Sequence, residues 1–256
     1  LNERKQWEAT DVRAEDNPFF PLVVVADCWL QRLVIWTPGQ TDLIKTVALV
    51  LMVADHVSLL FGLDNEWLRL AGRGAFTLFG LVWAMNLARH PVVRQRSLNR
   101  LWVWAIVAQG GWILAGLRPD AGNILFAFAV SGQALRLMQA HGPQAWPLSL
   151  MLVLVWLPFS GASYGITGVM MLLLACGVFM TGRRTTRTGL ACCLALTMLA
   201  LNAADGAAMA VAGLIIPGVT LTVLSRTCGA VPRFWPRELF PLFYAVHLAA
   251  LGLIAM

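Results

Sequence analysis

The sequence predicts an all-α protein: a polytopic integral membrane helical bundle of about nine spans with an N-terminal interfacial helix. Three observations carry this. Of the 256 residues, 59% are hydrophobic and only 12% are charged. Mean hydropathy is +0.70, far more apolar than a soluble globule of this size requires. Apolar stretches recur between short polar loops, and Lys and Arg concentrate in alternate loops, as cytoplasmic loops do. The net charge of +6 would suggest nucleic acid in a soluble protein. Here it reflects those loops, and no nucleic-acid partner is expected.

Residues 1–18 are polar and mixed in charge, without an apolar h-region. They read as a cytoplasmic tail rather than a cleavable signal peptide. Residues 19–40 form the interfacial helix and a turn. The stretch 19–36 is apolar but broken by Asp27 and Arg32 and marked by Trp29 and Trp36, which suits a helix lying in the membrane interface. Thr37-Pro-Gly is expected to turn the chain, and Thr41 to cap the first span. Residues 41–256 make the transmembrane domain. Its spans are read at 43–63, 67–88, 98–117, 121–140, 146–161, 164–181, 189–204, 207–226 and 237–256. The fifth and seventh are short for a bilayer.

Orientation follows from charge. Arg89, Arg94, Arg96 and Arg100 fall in one loop, Arg183, Arg184 and Arg187 in another, and Arg226, Arg233 and Arg237 in a third. Placing these loops and the N-terminal tail in the cytoplasm, with Arg32 and Arg136 on the same side, puts 15 of 19 Lys and Arg there. This gives a multi-pass protein with its N-terminus in and its C-terminus out. The five cysteines show neither a CxxC pair nor His-rich partner spacing. They read as small buried thiols, with no metal site expected.

The first span carries Asp42, Lys45, Asp55 and His56. Ionisable groups within a bilayer are costly unless paired or wet, so they usually mark a functional path. At 100° per residue, Lys45 and His56 lie within about 20° of one another, and Asp42 within about 60° of both. Asp55 is about 100° from His56. A polar stripe is therefore expected along one face, with Lys45 and His56 about 16 Å apart. Lys45 lies near the cytoplasmic face and suits an anionic cofactor. His56 lies about 10 Å below the outer boundary, at nearly the depth of Arg73 on the returning second span. A membrane His beside an Asp suits a general base or proton relay. Gly72 and Gly74 beside Arg73 permit close helix approach. Arg89 and Arg100 are candidates to hold phosphates. Asn123 reads as a cap or a site group, His247 as a buried titratable group, and Tyr164 as an interfacial aromatic. No P-loop or Rossmann fingerprint is present.

The string Gly39-Gln-x-Asp42-Leu-Ile-Lys45 through Asp55-His56 resembles the TraX family. So do Ala71-Gly-Arg73-Gly-Ala-Phe, Gly122-Asn123-Ile-Leu-Phe126, Ser163-Tyr164-Gly165, and Pro232-Arg-Phe-Trp-Pro-Arg237 with Phe243-Tyr244-Ala-Val-His247. The resemblance covers nearly everything from about residue 29 onward. It implies a bacterial inner-membrane N-acetyltransferase that moves acetyl from acetyl-CoA to the N-terminal Ala amine of processed F-type pilin from conjugative plasmids. More distantly, Asp42-x-x-Lys45 with His56 resembles the Asp-x-x-Arg-Gly and Arg-x10-His spacings of membrane acyltransferases. The chain departs there with Lys45 for Arg and Thr46 for Gly, which removes a bidentate phosphate grip at that residue.

On this reading His56 is the base, oriented by Asp55 or Asp42, and Arg73 or Asn123 stabilises the oxyanion. Lys45, Arg89 and Arg100 hold acetyl-CoA. Asn123, Tyr164 and His247 are the candidates to bind the pilin N-terminus. The rival readings are a noncatalytic pilin-binding membrane assembly protein, an O-acyltransferase with another acceptor, and a proton-coupled transporter, for which no inverted repeat is visible.

Overall fold

The computed structural model describes residues 20–63, 65–227, 231–236 and 239–255. The described residues form helices and connecting turns without a strand. In chain order they are α1 (Phe20–Val34), α2 (Pro38–Leu60), α3 (Glu66–Gly72), α4 (Ala75–Ala88), α5 (Gln95–Leu114), α6 (Ile124–His141), α7 (Trp146–Trp156), α8 (Gly165–Met180), α9 (Arg184–Leu201), α10 (Ala207–Thr227) and α11 (Leu239–Ala255). Short 3-10 turns occupy 142–145, 157–162 and 203–205. Four helical stretches are long and apolar enough to cross a membrane: Pro38–Leu60, Ile124–Ala162, Arg184–Asp205 and Ala207–Arg226. Gly165–Met180 and Leu239–Ile254 are shorter apolar helices. The protein is thus a helical membrane protein. The predicted tail 1–18, together with Cys228 and Arg237, lies outside the described residues.

The helices follow the stretches predicted from sequence, with informative differences. Pro38-Gly39 does not turn the chain but opens α2. Thr37, not Thr41, is the cap, and it exchanges hydrogen bonds with Gln40 in a capping box; proline suits the first helical position because its missing N–H would be unpaired there. The predicted second span breaks into α3 and α4 at Arg73-Gly74. The stretch Ile124–Ala162 folds back at Gly142, whose φ of 68° is the left-handed conformation glycine tolerates. Across that fold the Ser149 hydroxyl donates to the Ala134 carbonyl at 3.2 Å, so α6 and α7 run antiparallel.

The helix α4 is the centre of the bundle. It is apolar apart from Thr77 and Asn86, as a core helix is, and residues from Ala75 to Val82 are all buried. Helices α2 and α8 flank it, with the Tyr164 ring at the start of α8 tilted against Phe76, centres 4.5 Å apart. Helix α11 lies closely along α5. A Cβ at Gly111 would stand 2.6 Å from the Ala245 carbonyl oxygen, so only glycine allows this approach.

The helix α1 buries Asp27 and exposes Leu22, Val25 and Trp29, an arrangement that turns its apolar face outward. Asp27 is paired with Arg187 at 2.9 Å, and the Gln31 amide donates to it at 2.8 Å. Of the cysteines expected to be buried, Cys176 is buried, while Cys28, Cys192 and Cys193 are exposed. These three occupy outward faces of α1 and α9 that an apolar solvent can cover.

Candidate active site

Two cavities lie end to end along α2, α4, α6 and α11. One, of about 670 Å³, opens beside Lys45. Arg89, Arg94, Arg100 and Arg233 line it and are exposed, while Lys45 lies half-buried further in. The sequence-derived trio of Lys45, Arg89 and Arg100 therefore shares one basic cavity. His90, Asn86 and Arg233 also line it, although nothing in the sequence separated them from ordinary loop and packing residues. The loop carrying Arg89 and Arg94 is fixed through Val93. Its N–H donates to Gln139 Oε1 at 2.9 Å, and its carbonyl accepts from Arg136.

Asp42 builds the wall of this cavity. One carboxylate oxygen accepts from Lys45 Nζ at 2.9 Å. The other accepts from the backbone amides of Phe234 and Trp235, each at 3.0 Å. The Trp235 indole donates to Thr46 Oγ1 at 3.0 Å, and Lys45 Nζ lies 5.8 Å from the Trp235 ring centre. Thr46, where the acyltransferase pattern has glycine, thus anchors the 231–236 strap. The expected Asp42–His56 pairing is not made, because the two are fourteen residues apart on one helix, about 21 Å.

The second cavity, of about 710 Å³, opens at the other end of α2. His56, Asp55, Arg73 and Tyr164 all line it, as do Arg69 and Asp205. Asp55 lies directly over Gly72 at the end of α3, so closely that no side chain would fit there. Arg73 Nη1 pairs with Asp205 at 3.0 Å. Its buried Nε has no hydrogen-bond partner among the described residues. The proximity of Asp205 to Arg73 arises from chain folding between segments over one hundred residues apart.

His56 Nδ1 lies 2.8 Å from His247 Nε2, so the ring's polar contact is a second histidine rather than either aspartate. His247 is correspondingly turned to His56 and to the Phe243 carbonyl, 3.0 Å from its Nδ1, and it is not among the residues lining this cavity. Asn123 is also displaced from its expected role. It caps α6 by accepting from Leu125 N at 3.0 Å. Its amide donates to the Ala105 carbonyl at 2.8 Å and to Gln109 Oε1 at 2.9 Å. Fully buried and fully engaged, it acts as a cap and helix bridge, with no free donor for an oxyanion.

The predicted polar stripe is therefore interrupted. Ile44, Ala48 and Met52 are buried on α2 between its ends, and an aromatic layer separates the cavities. Phe79 packs tilted against Phe240, ring centres 4.1 Å apart, and Phe76 against Phe128 at 5.5 Å. Phe79 and Phe240 line the basic cavity, whereas Phe76 and Tyr244 line the histidine cavity. These pairs are three and four residues apart on their helices, so the layer is about one turn, ~5 Å, thick.

Comparison with known proteins gives the kinship of this arrangement. The family described as "TraX protein" matches residues 40–255. An Escherichia coli protein named Protein TraX is 48% identical over 92% of this chain and 95% of its own length. Protein TraX of Escherichia coli K12 is 46% identical over the same shares. A probable fimbrial assembly protein, FimC of serogroup H1 from Dichelobacter nodosus, is 29% identical over 81% of this chain and 92% of its own. No solved structure matches. All the residues lining the two cavities except Pro38 fall within the matched region, and with identity near one half over almost the full length, the chain belongs to the TraX family.

Proposed function

We propose that this chain is an acetyl-CoA-dependent N-acetyltransferase of the bacterial inner membrane. It crosses the bilayer about nine times with its N-terminus in the cytoplasm, and its acceptor is the N-terminal Ala amine of processed conjugative pilin. One observation carries the reading: a basic cavity and a histidine cavity abut on the same four helices, separated by one turn of aromatic rings. The kinship to proteins named TraX, and to one named for fimbrial assembly, supports an acceptor of the pilin class.

In this mechanism the phosphates of acetyl-CoA lie among Arg89, Arg94 and Arg100, with Lys45 drawing the anion inward. The pantetheine arm passes the aromatic layer and brings the thioester to the histidine cavity. The pilin amine enters from the opposite end as its ammonium, drawn by Asp55 and Asp205, and gives up its first proton to solvent there before it attacks. His56 takes a proton as the amine attacks the thioester carbonyl. Arg73 donates to the resulting oxyanion through the guanidinium edge not used by Asp205. The intermediate collapses and expels the CoA thiolate, which takes the proton held by His56 and so restores the base. An α-amine of pKa about 8 needs little help to lose its proton, so much of the acceleration comes from holding amine and thioester together away from water.

The test is acetyl transfer by purified His56→Ala protein to an Ala-initiated pilin peptide. The expected result is a loss of about 10²- to 10⁴-fold in kcat; near-normal turnover overturns the base role. A second reading, a noncatalytic pilin-assembly protein, draws on the fimbrial-assembly relative. Acetyl-CoA should raise the melting temperature of an acetyltransferase and leave that of a scaffold unchanged. Sugar and peptide acceptors offered side by side separate N- from O-transfer.

A further inference from the structure

We infer that His247 is a positioning residue for His56, holding that ring in the tautomer whose Nε2 is free to accept a proton. The inference deepens the proposed function and rests on His56 being its base. The two imidazoles lie 191 residues apart in sequence and meet through His56 Nδ1 and His247 Nε2 at 2.8 Å. The remaining nitrogen of His247, Nδ1, is 3.0 Å from the Phe243 carbonyl oxygen. A carbonyl oxygen only accepts, so His247 Nδ1 carries the hydrogen. A neutral imidazole has a single N–H, which leaves His247 Nε2 bare and accepting. His56 Nδ1 must then be the donor, and His56 Nε2 is left without a hydrogen.

The neutral form of His247 follows from its surroundings. The ring is 7% exposed and lies against Phe243 at 5.3 Å and Tyr244 at 5.6 Å. Among the described residues, no carboxylate forms an ion pair with either histidine. A buried cation there would lack a counter-charge. The far end of the relay is a helix carbonyl, which cannot rotate away. The helix that carries it is seated on α5 through the Gly111–Ala245 approach. This is the logic by which a third group fixes the tautomer of a catalytic histidine, with a second imidazole and a backbone carbonyl in place of a carboxylate. When His56 Nε2 takes a proton from the attacking amine, its Nδ1–H continues to donate to His247, so no proton need move along the pair.

The experiment is ¹⁵N–¹H correlation of the imidazoles in the full chain, ¹⁵N-labelled at histidine and held in nanodiscs. His56 is assigned by comparison with His56→Ala. The expected pattern is a protonated Nδ1 and a bare Nε2 on His56. A protonated Nε2 with a bare Nδ1 overturns the inference. Kinetics provide a second readout. His247→Leu removes the acceptor and should lower kcat roughly 10- to 100-fold with both KM values unchanged. His247→Gln presents an amide oxygen near the former Nε2 and should restore most of that loss. A His247→Leu protein as active as the parent overturns the inference. The tautomer is read without turnover. The expected pattern beside a fully active His56→Ala therefore defeats the base reading alone, whereas the opposite tautomer defeats the positioning role whatever His56→Ala does.

Discussion

At the scale of single residues, Arg73 carries the sharpest expectation. It interrupts a helix where the sequence predicts a continuous one, and its guanidinium lines the histidine cavity while spending one nitrogen on Asp205. If the rest of that group stabilises the oxyanion, Arg73→Gln lowers kcat by about 10²- to 10³-fold with little change in peptide KM. Arg73→Lys recovers only part, because a point charge cannot serve Asp205 and the oxyanion from one planar fork. Steady-state acetyl transfer with the peptide varied separates these outcomes; an unchanged kcat in Arg73→Gln removes the residue from the chemistry. The sequence placed His56, Asp55 and Arg73 toward the same end of the bundle, where they line one cavity, since helical periodicity and depth follow from residue count alone. It did not foretell their partners. His56 meets His247, and Asp42 meets Trp235, across more than 190 residues. Periodicity describes one helix face and says nothing of what is opposite. Asn123 shows the same limit from the other direction: a polar residue opening a span reads equally as a cap or a ligand group until Gln109 and Ala105 are seen to use its amide.

At the scale of elements, the strap 231–236 and the first turns of α2 behave as one unit. The strap lacks helical hydrogen bonds of its own, and Asp42 supplies acceptors for two of its amides while holding Lys45 at the cavity wall. Trp235 is buried, covering Thr46 and lying within reach of the Lys45 ammonium. The Asp42→Ala substitution leaves both amides and the ammonium without their acceptor, at about 1–3 kcal/mol for each buried group so deprived. That cost falls on the strap before it falls on the bundle. Hydrogen exchange at 231–236 is expected to accelerate while α4 stays protected. The KM for acetyl-CoA should rise about tenfold or more, and that for the peptide should hold. Equal slowing of both substrates, or exchange spread over the whole bundle, would make Asp42 a general stabiliser instead. The boundary between turn and helix was misjudged here for a local reason. Pro-Gly ordinarily ends structure, but after a threonine able to cap it can equally begin a helix, and the capping box with Gln40 decides between them.

At the scale of the whole molecule, the long-range design is a division of one polar route into two compartments. Composition and loop charge were enough to predict a helical membrane bundle with its basic residues gathered at one end, because bilayer solvation constrains the whole chain at once. The division itself was not legible, since Phe76, Phe79, Phe128 and Phe240 look like any other apolar span residues until helices α4, α6 and α11 bring their rings together. An aromatic layer one turn thick has a consequence for coupling. On the proposed acetyltransferase reading it would keep water and the acceptor away from the thioester until the pantetheine arm is seated, so acetyl-CoA should be hydrolysed only slowly when no amine is present. Phe240 is the place to test this, being half-buried and packed against Phe79 at the boundary. Phe240→Leu keeps an apolar side chain of moderate size and so avoids the ~3–5 kcal/mol cost of truncating a core aromatic to alanine. The expected outcome is a several-fold rise in CoA thiol release without peptide, followed with a thiol reagent, while acetyl transfer with peptide changes less. A hydrolysis rate equal to that of the parent protein would mean that the rings do not guard the thioester, and that water is excluded by closure of the strap or by the incoming peptide itself.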